Sequence, residues 1–381
     1  MLSGSCPCGR NLDQKGSVHL EWLKLYQYRN LADTKASFSP HVNFIFGRNG
    51  QGKTNLVEAI ALLSAARSFR TQSMAEVVRW GERSASVFAA LSGKLGDEEV
   101  GLAIEAGQRR AFLNGSPVRS MAEFVGRLVT VSFSPTDLAI IKGAPQGRRR
   151  FVDRHLIDLE PRLMGEVLEY SRALRHKAAL LKQGEAGPGE LEPWNALLAR
   201  SGAAIIAARR RLLAMLEAKS EPLYRTIAAG EGSVKLTLET NVEGGAGESP
   251  EGLYGQLMRA APREAKRRAP LIGPHRDDVR IDLSGHDSRA FASQGQSRSL
   301  VLALKLATIE LIEEHRDESP VVLLDDVDSE LDQTRSNALF ELVYSAPRQV
   351  FVTGTDRDAV TRLRHTDLLE MEIADGQIVI K

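Results

Sequence analysis

The segment GRNGQGKT, Gly47 to Thr54, carries residue types that bind a phosphate chain. It fits the pattern G-x-x-x-x-G-K-[ST], follows an apolar run and precedes apolar residues at helical spacing. Its glycines let the backbone curl so that several N–H groups point at phosphate oxygens, and the helix N-terminus adds positive charge. We expect Lys53 to reach the β- and γ-phosphates and the Thr54 hydroxyl to bind Mg²⁺. The predicted nucleotide-binding residues are Gly47, Arg48, Asn49, Gly50, Gln51, Gly52, Lys53, Thr54 and Asn55.

Two carboxylates end the apolar run VVLLDD near the C-terminus, at Asp325 and Asp326. A continuous apolar run indicates a parallel strand buried on both faces, and ligands bind at the carboxyl ends of such strands. We expect Asp325 to bind Mg²⁺, directly or through water, and Asp326 to polarise the attacking water. Many NTPases have the longer glutamate at the second position, so slow hydrolysis is a hypothesis that follows from Asp326.

A second polar turn, SQGQ from Ser293 to Gln296, opens a helix far beyond the phosphate loop. A hydroxyl and a glycine at a helix N-terminus make an anion site by the same physics, although such a turn is more often only a helix cap. Its place shortly before the acidic strand favours a role at the phosphates. The apolar positions of the helix predict a buried stripe: Leu300, Val301, Leu304, Leu306 and Ile309.

The surrounding elements predict an α/β fold interrupted by helices. Strand-like runs precede the phosphate loop, a helix follows it over Thr54 to Phe69, and alternating segments from Ala85 to Thr130 indicate hairpins. Two long helical stretches follow Asp153, separated by the Gly/Pro-rich turn GEAGPGELEP. We therefore predict a disordered tail over 1–17, one part of an ATPase lobe over 18–150, a helical lobe over 151–270, and the second part of the first lobe over 271–381.

Composition limits the function classes. The chain is 43% hydrophobic and 26% charged with a formal net charge of +1, so it is not a polycation. Cys6 and Cys8 are too few for a disulfide framework or a zinc site. No apolar run approaches the ~20 residues that span a bilayer, and the N-terminus lacks a secretory apolar core. A cytoplasmic protein is expected.

Basic residues cluster at three places: Arg148-Arg149-Arg150, Arg209-Arg210-Arg211 and Lys266-Arg267-Arg268. Arginine forks suit phosphate, and we expect the first cluster to contact DNA or nucleotide. We interpret the second cluster as a solvent-exposed helix face whose arginines pair with Glu217 and Glu221. No cluster interleaves aromatic residues, so backbone binding with strong salt dependence is expected. Arg29 and Arg70 are candidates for the triphosphate, with surface salt bridges as the equal alternative.

The order of these motifs resembles that of ABC-type ATPases. SQGQ resembles their signature loop, Asp325 and Asp326 their Walker B pair, and Ser329 to Asp332 their D-loop. The helical insertion resembles the arms of SMC-type ATPases. The segments GRNGQGKTNLVEAIALLSAARSFR, SFSPTDLAIIKGAPQGRRRFVDR, GPHRDD and SQGQSRSLVLALKLA look very like the RecF family of bacterial recombination mediators, from about Val18 to the C-terminus.

The resemblance implies a composite ATP site. The signature residues Ser293, Gln294, Gly295 and Gln296 of one subunit would cap the γ-phosphate held by the other, and Ser329 and Asp332 would serve in the D-loop. It further implies an ATP-dependent homodimer with Mg²⁺ that binds gapped DNA and single-strand/double-strand junctions. RecR, RecO and RecA are the implied partners. A transporter-type subunit or a general SMC-like tether is the alternative.

The chain departs from the ABC pattern at three places. Gln294 stands where most signature loops have glycine. The strand QVFVTGTD lacks the switch histidine, for which Thr353 or Thr355 could substitute. No glutamine loop is evident, and Asp137 in SFSPTD occupies about its place.

Overall fold

The structure, a computed structural model, describes residues 18–71, 73–93, 96–184, 188–228, 230, 232–243, 245, 247, 249–326, 333–355 and 368–381. The predicted tail and the predicted D-loop residues Ser329 and Asp332 lie outside these ranges. The chain divides into two units. Unit 1 comprises 1–118, 127–134 and 312–381, and unit 2 comprises 119–126 and 135–311.

A six-stranded, mainly parallel sheet in unit 1 carries the phosphate loop. Its strand order is β15-β14-β3-β13-β12-β8, with only β15 antiparallel to its neighbour. The strands are β3 (Val42–Phe46), β8 (Thr130–Phe133), β12 (Val321–Leu324), β13 (Val350–Gly354), β14 (Leu368–Ala374) and β15 (Gln377–Ile380). All residues of β12 and β13 are buried, as their apolar runs predict for central parallel strands.

Two helices of unit 1 are adjacent in sequence to strands of this sheet. Helix α1 (Lys53–Ala65) directly follows the phosphate loop and is buried along most of its length, so its apolar residues do not form one narrow stripe. It ends at Ala65, before the predicted end at Phe69, because Ala66 adopts a left-handed conformation with φ 50°. Helix α10 (Gln333–Tyr344) lies between β12 and β13 in sequence.

A second sheet of unit 1 is antiparallel, with the order β2-β1-β4-β5-β6-β7. Its strands are β1 (His19–Tyr26), β2 (Thr34–Ser37), β4 (Ser84–Ser92), β5 (Glu98–Glu105), β6 (Gln108–Leu113) and β7 (Ser116–Pro117). Strand β4 alternates half-buried and buried residues throughout, the pattern of a sheet with one face in a core. The hairpins predicted between Ala85 and Thr130 are confirmed by β4 to β7.

Unit 2 is mostly helical. Its helices are α2 (Met121–Phe124), α3 (Ala139–Lys142), α4 (Pro145–Leu159), α5 (Leu163–Gln183), α6 (Pro188–Ala228), α7 (Pro250–Arg267), α8 (Ser288–Phe291) and most of α9 (Gln294–Arg316). Buried side chains of α5, α6 and α7, among them Tyr170, Ile206 and Leu253, form one apolar cluster. Helix α6 begins inside the predicted turn, because Pro188 is tolerated in a first helical turn.

The predicted lobe boundaries at 150 and 270 differ from the observed ones. The alternating run after Pro270 forms β10 (Asp278–Leu283), which pairs with β9 (Val234–Glu239) and β11 (His286–Asp287) in a small sheet of unit 2. Strand alternation predicts only a half-buried strand and not which sheet the strand joins, so it does not distinguish a return to the first lobe from a sheet of unit 2. Ser293 to Gln296 therefore belong to unit 2.

Within the described residues, no helix is both long and apolar enough to cross a membrane.

Candidate nucleotide-binding site

The phosphate loop connects β3 to α1 through a backbone that requires glycine. Gly47, Gly50 and Gly52 have φ of 148°, 81° and 121°, values that side chains rarely allow. A Cβ at Gly47 would collide with the carbonyl oxygen of Ile373, and one at Gly52 would lie 2.5 Å from the Leu31 side chain. Both the backbone conformation and the close neighbours therefore require glycine at Gly47 and Gly52.

The Lys53 ammonium lies inside the curl of this loop. Its Nζ donates to the carbonyl oxygens of Gly47 at 2.6 Å and Arg48 at 3.2 Å, and the residue is 8% exposed. Burial lowers the pKa of Lys53, while the nearby Asp326 and Asp325 oppose that shift. The lysine can thus exchange two weak carbonyl contacts for phosphate oxygens, which are stronger acceptors because they are charged.

Thr54 and Asp325 meet at the end of β12. The Thr54 hydroxyl donates to Asp325 Oδ1 at 3.0 Å, and the hydroxyl of Thr353 on β13 donates to the same oxygen at 3.0 Å. Burial raises the pKa of Asp325, and the hydrogen bonds from the two threonines oppose that rise. The two residues predicted to bind the metal are thus neighbours, although 271 positions separate them in sequence.

Asp326 continues the turn in a strained conformation. Its φ is 52°, in the left-handed region that non-glycine residues seldom occupy. Its backbone N–H donates to the Thr353 hydroxyl at 2.8 Å, so Thr353 bridges both aspartates. Of the two threonines considered for the switch position, Thr353 is the one in contact with the acidic pair, whereas Thr355 is exposed.

The donor set suits a magnesium ion that also binds phosphates. Mg²⁺ takes oxygen ligands, usually one or two carboxylates together with phosphate oxygens and waters. Thr54 and Asp325 supply a hydroxyl and a carboxylate beside the N-terminus of α1, and Asp325 is 4% exposed. Among the described residues there is no cluster of three or more His, Cys, Asp or Glu side chains that would hold a metal by itself. The site therefore fits a cation shared with a nucleotide.

The two candidate arginines near the loop converge on one buried carboxylate, Glu58 of α1. Arg29 donates to both Glu58 oxygens at 2.9 and 2.8 Å, and Arg70 lies 3.6 Å from the same carboxylate. Glu58 is fully buried, so these are not surface pairs. Arg70 also donates to the Asn55 side chain at 2.5 Å and is 39% exposed at its side chain, so it is the more accessible of the two.

An asparagine outside the motif ties the phosphate loop to the turn between β1 and β2. Asn30 Nδ2 donates to the Gly50 carbonyl at 3.0 Å, and Asn55 Nδ2 donates to Asn30 Oδ1 at 2.6 Å. Gln51 contributes a side-chain contact to the backbone N–H of Asp375. Two of the predicted nucleotide-binding residues, Gln51 and Asn55, thus hold the loop in place through their side chains.

The signature turn is a reciprocal helix cap at the start of α9. The Gln296 backbone N–H donates to the Ser293 hydroxyl at 3.2 Å, and the Gln296 side chain accepts from the Ser293 N–H at 2.8 Å. The buried Ser297 hydroxyl donates to the Ser293 carbonyl at 2.8 Å. Ser293, Gln294 and Gln296 are exposed and Gly295 is half-buried. The predicted stripe below is confirmed, because all five of its residues are buried.

A lysine remote in sequence holds the backbone that leads into this turn. Lys142 Nζ donates to the carbonyl oxygens of Ser288 at 3.0 Å, Arg289 at 3.2 Å and Ala292 at 2.6 Å. One helix turn earlier in the chain, Asp137 pairs with Lys305 of α9 at 2.6 Å. The segment SPTDLAIIKG therefore contacts both the entry to the signature turn and the helix behind it.

Several arginines of the first two clusters are engaged within unit 2. Arg148 is 4% exposed and binds both oxygens of Asp278, at 2.7 and 2.8 Å. Arg149 donates to the Asp277 carbonyl, which leaves Arg150 as the exposed member of the first cluster. Arg209 pairs with Asp153 and Asp277 rather than with the predicted Glu217 or Glu221. The partners were missed because they lie far away in sequence.

The residues that sequence reasoning missed share one property, which is that each acts through a partner outside its own motif. They are Asn30, Glu58, Lys142, Lys305 and Asp153. The sequence offered one signal for such residues. A charged or amide residue inside a segment that resembles the RecF family is a candidate, as Lys142 is in IIKG.

Known proteins resemble the chain over nearly its full length. The model of the RecF/RecN/SMC N terminal domain matches residues 19–376. DNA replication and repair protein RecF of Myxococcus xanthus (strain DK1622) is 34% identical over 366 residues, which cover 94% of this chain and 96% of that protein. A solved structure of the recombination mediator protein RecF-ATP in the RecFOR pathway shows 32% identity and a TM-score of 0.85, covering 96% of this chain and 98% of that one.

A more distant likeness concerns the fold alone. The Smc head domain of Pyrococcus furiosus, solved with an extended coiled coil and the C-terminal domain of ScpA, aligns with a TM-score of 0.53 at 15% identity. The alignment covers 96% of each chain.

Proposed function

The chain belongs to the RecF/RecN/SMC N-terminal domain family and within it to the RecF proteins, and on this basis we propose an ATP-dependent DNA-binding protein of recombinational repair and replication restart. The same likeness confirms the predicted ABC-type ATPase head fold. Members of this family bind ATP, as the RecF-ATP structure illustrates.

The observation that carries the proposal is the meeting of Lys53, Thr54 and Asp325. A lysine inside a glycine loop, a hydroxyl at the first turn of α1 and a buried carboxylate at the end of β12 form the set needed for a triphosphate with Mg²⁺. When bound, the cation would neutralise charge on the β- and γ-phosphates. Asp326 orients the attacking water in this proposal, and its short side chain accounts for slow, regulatory hydrolysis.

The signature turn supplies the argument for a dimer. Its cap is complete within unit 2, and Ser293, Gln294 and Gln296 are exposed, so the turn is preformed and accessible. We place it against the γ-phosphate bound by a second copy, with Ser329 and Asp332 in the D-loop. Such a site closes only when ATP is bound, so two nearly neutral chains would assemble one DNA-binding surface.

DNA is the proposed ligand of the dimer, through backbone contacts at single-strand gaps and single-strand/double-strand junctions. Hydrolysis would be stimulated by DNA and would release it. Among the arginines of the first cluster, exposed Arg150 is the one we assign to DNA phosphate, since Arg148 and Arg149 are engaged internally. By family membership, the bound protein would assist RecA loading together with RecO and RecR.

Sedimentation of the full chain with ATP, with ADP and without nucleotide tests this function. We expect monomers that dimerise only with ATP and Mg²⁺, then retain gapped or duplex DNA, with ATP hydrolysis that is slow and faster when DNA is added. Ser293→Arg places a long cation in the signature turn and should abolish the ATP-dependent dimer while leaving nucleotide binding to the monomer intact. Dimers that persist in Ser293→Arg would contradict the composite site.

A further inference from the structure

A stripe of positive charge runs along one flank of α7. Arg259, Arg263, Lys266 and Arg267 are spaced i, i+4, i+7 and i+8, which places them on the same side of a helix. All four are exposed, while the core side of the helix is buried through Leu253, Leu257 and Ala260. The adjoining Arg268 is exposed as well.

The C-terminal half of α5 lies beside this stripe. Lys177 of α5 and Glu264 of α7 form a fully buried pair at 2.6 Å. Near the ends of both helices, the Arg268 guanidinium lies 3.4 Å from the position that a Cβ on Gly184 would occupy. Arg172, Arg175 and Lys182 are exposed on this half of α5. The two helices thus carry eight exposed cations, which together are named here the α5/α7 basic face.

Acidic residues are nearly absent from the two sequence stretches that carry these cations. Residues 170–184 contain no Asp or Glu, and residues 252–276 contain only Glu264, which is buried against Lys177. In the part of the chain that the structure describes, no carboxylate pairs with any of the eight cations. The two helix C-termini together carry roughly one negative charge, about half a charge each, so eight cations leave a surplus of positive potential.

We propose that the α5/α7 basic face is a DNA-binding surface that contacts the phosphate backbone, separate from the arginine cluster of α4. The inference rests on the proposed function in taking DNA as the polyanion. Phosphate binding explains why the chain concentrates this charge while its net charge is only +1. Arg dominates the face, and its planar fork donates two parallel hydrogen bonds to a phosphate.

Charge reversal on α7 tests the face. Arg263→Glu with Arg267→Glu is compared with Arg110→Glu combined with Arg162→Glu, a control that changes the same total charge at exposed arginines elsewhere. Binding of the full chain to a fluorescent duplex is measured with ATP across a range of salt concentrations. We expect the α7 variant to lose about tenfold or more in affinity at low salt, and its salt slope to fall by about 2, one ion per lost contact. The control should stay near wild type.

Two further measurements separate the outcomes. Arg263→Gln with Arg267→Gln removes charge without adding any, so an intermediate loss of affinity is expected even if the reversal disturbs α7. Sedimentation with ATP shows whether each variant still dimerises. A wild type that binds no DNA contradicts the proposed function itself. A wild type that binds DNA, with an α7 variant equal to the control in affinity and slope, contradicts the assignment of this face. If that variant instead loses binding to poly-L-glutamate, the face serves an acidic protein segment and the proposal is wrong.

Discussion

The phosphate loop and the signature turn each have a lysine ammonium bound to backbone carbonyls, but the two lysines come from different places. Lys53 belongs to the loop that it holds and binds the carbonyls of Gly47 and Arg48. Lys142 comes from a separate segment and binds the carbonyls of Ser288, Arg289 and Ala292. The first lysine is nearly buried, whereas the second is exposed.

This difference follows from what each turn must do. In the proposed function Lys53 leaves its carbonyls for a triphosphate, which requires contacts that are internal and replaceable. The signature turn offers N–H groups and a hydroxyl instead of a cation, and its lysine has no reason to leave. In the proposed function, one turn therefore binds phosphate with the help of its own cation, and the other is a preformed surface whose backbone Lys142 holds.

The largest expected effect is that of Lys53→Met. Methionine has similar length but no charge or donor, so charge-assisted bonds to phosphate are lost. We expect ATP affinity to fall roughly 10- to 100-fold, the range for one or more hydrogen bonds to a charged group. The apo protein should be at least as stable as wild type, because burial already lowers the pKa of Lys53 and disfavours its charge. Isothermal titration with ATP measures the affinity, and thermal unfolding measures the stability of the apo protein. Unchanged ATP affinity would show that Lys53 does not belong to the site.

We expect Lys142→Met to change stability and dimerisation instead of ATP affinity, with smaller effects than those of Lys53→Met. Loss of three hydrogen bonds to exposed backbone is expected to destabilise the apo protein by about 1 kcal/mol. ATP affinity of the monomer should stay unchanged, while the ATP-dependent dimer weakens by about tenfold because the signature turn is no longer held. Lys142→Arg keeps the cation and several donors and should restore most of the dimer. If the methionine variant dimerises normally, the contact stabilises only the fold.

The sequence predicted the elements that carry each turn better than the contacts that support the turns. The glycine loop, the acidic strand end and the helix stripe are local patterns, and the structure confirms the elements that carry them. Lys142 and its acceptors are 146 to 150 positions apart, and Arg148 lies 130 positions from Asp278, so no local period could pair them. A run such as RRR shows that charge is present but not whether each guanidinium faces solvent or a buried carboxylate.

Substitutions at one glycine of each turn compare the phosphate loop with the signature turn through the smallest expected effects. Gly52 has φ 121°, so Gly52→Ala is strained by its own backbone and should destabilise the apo protein. Gly295 lies within α9 and is not among the described glycines with positive φ, so alanine suits its conformation. We expect Gly295→Ala to raise the free energy of unfolding by up to about 1 kcal/mol, the helix preference for alanine over glycine. The same change should weaken the ATP-dependent dimer, because a Cβ would stand between the turn and the partner's phosphates. Denaturant unfolding without nucleotide and sedimentation with ATP measure the two effects. An apo protein destabilised by Gly295→Ala would mean that this glycine, like those of the phosphate loop, serves its own fold.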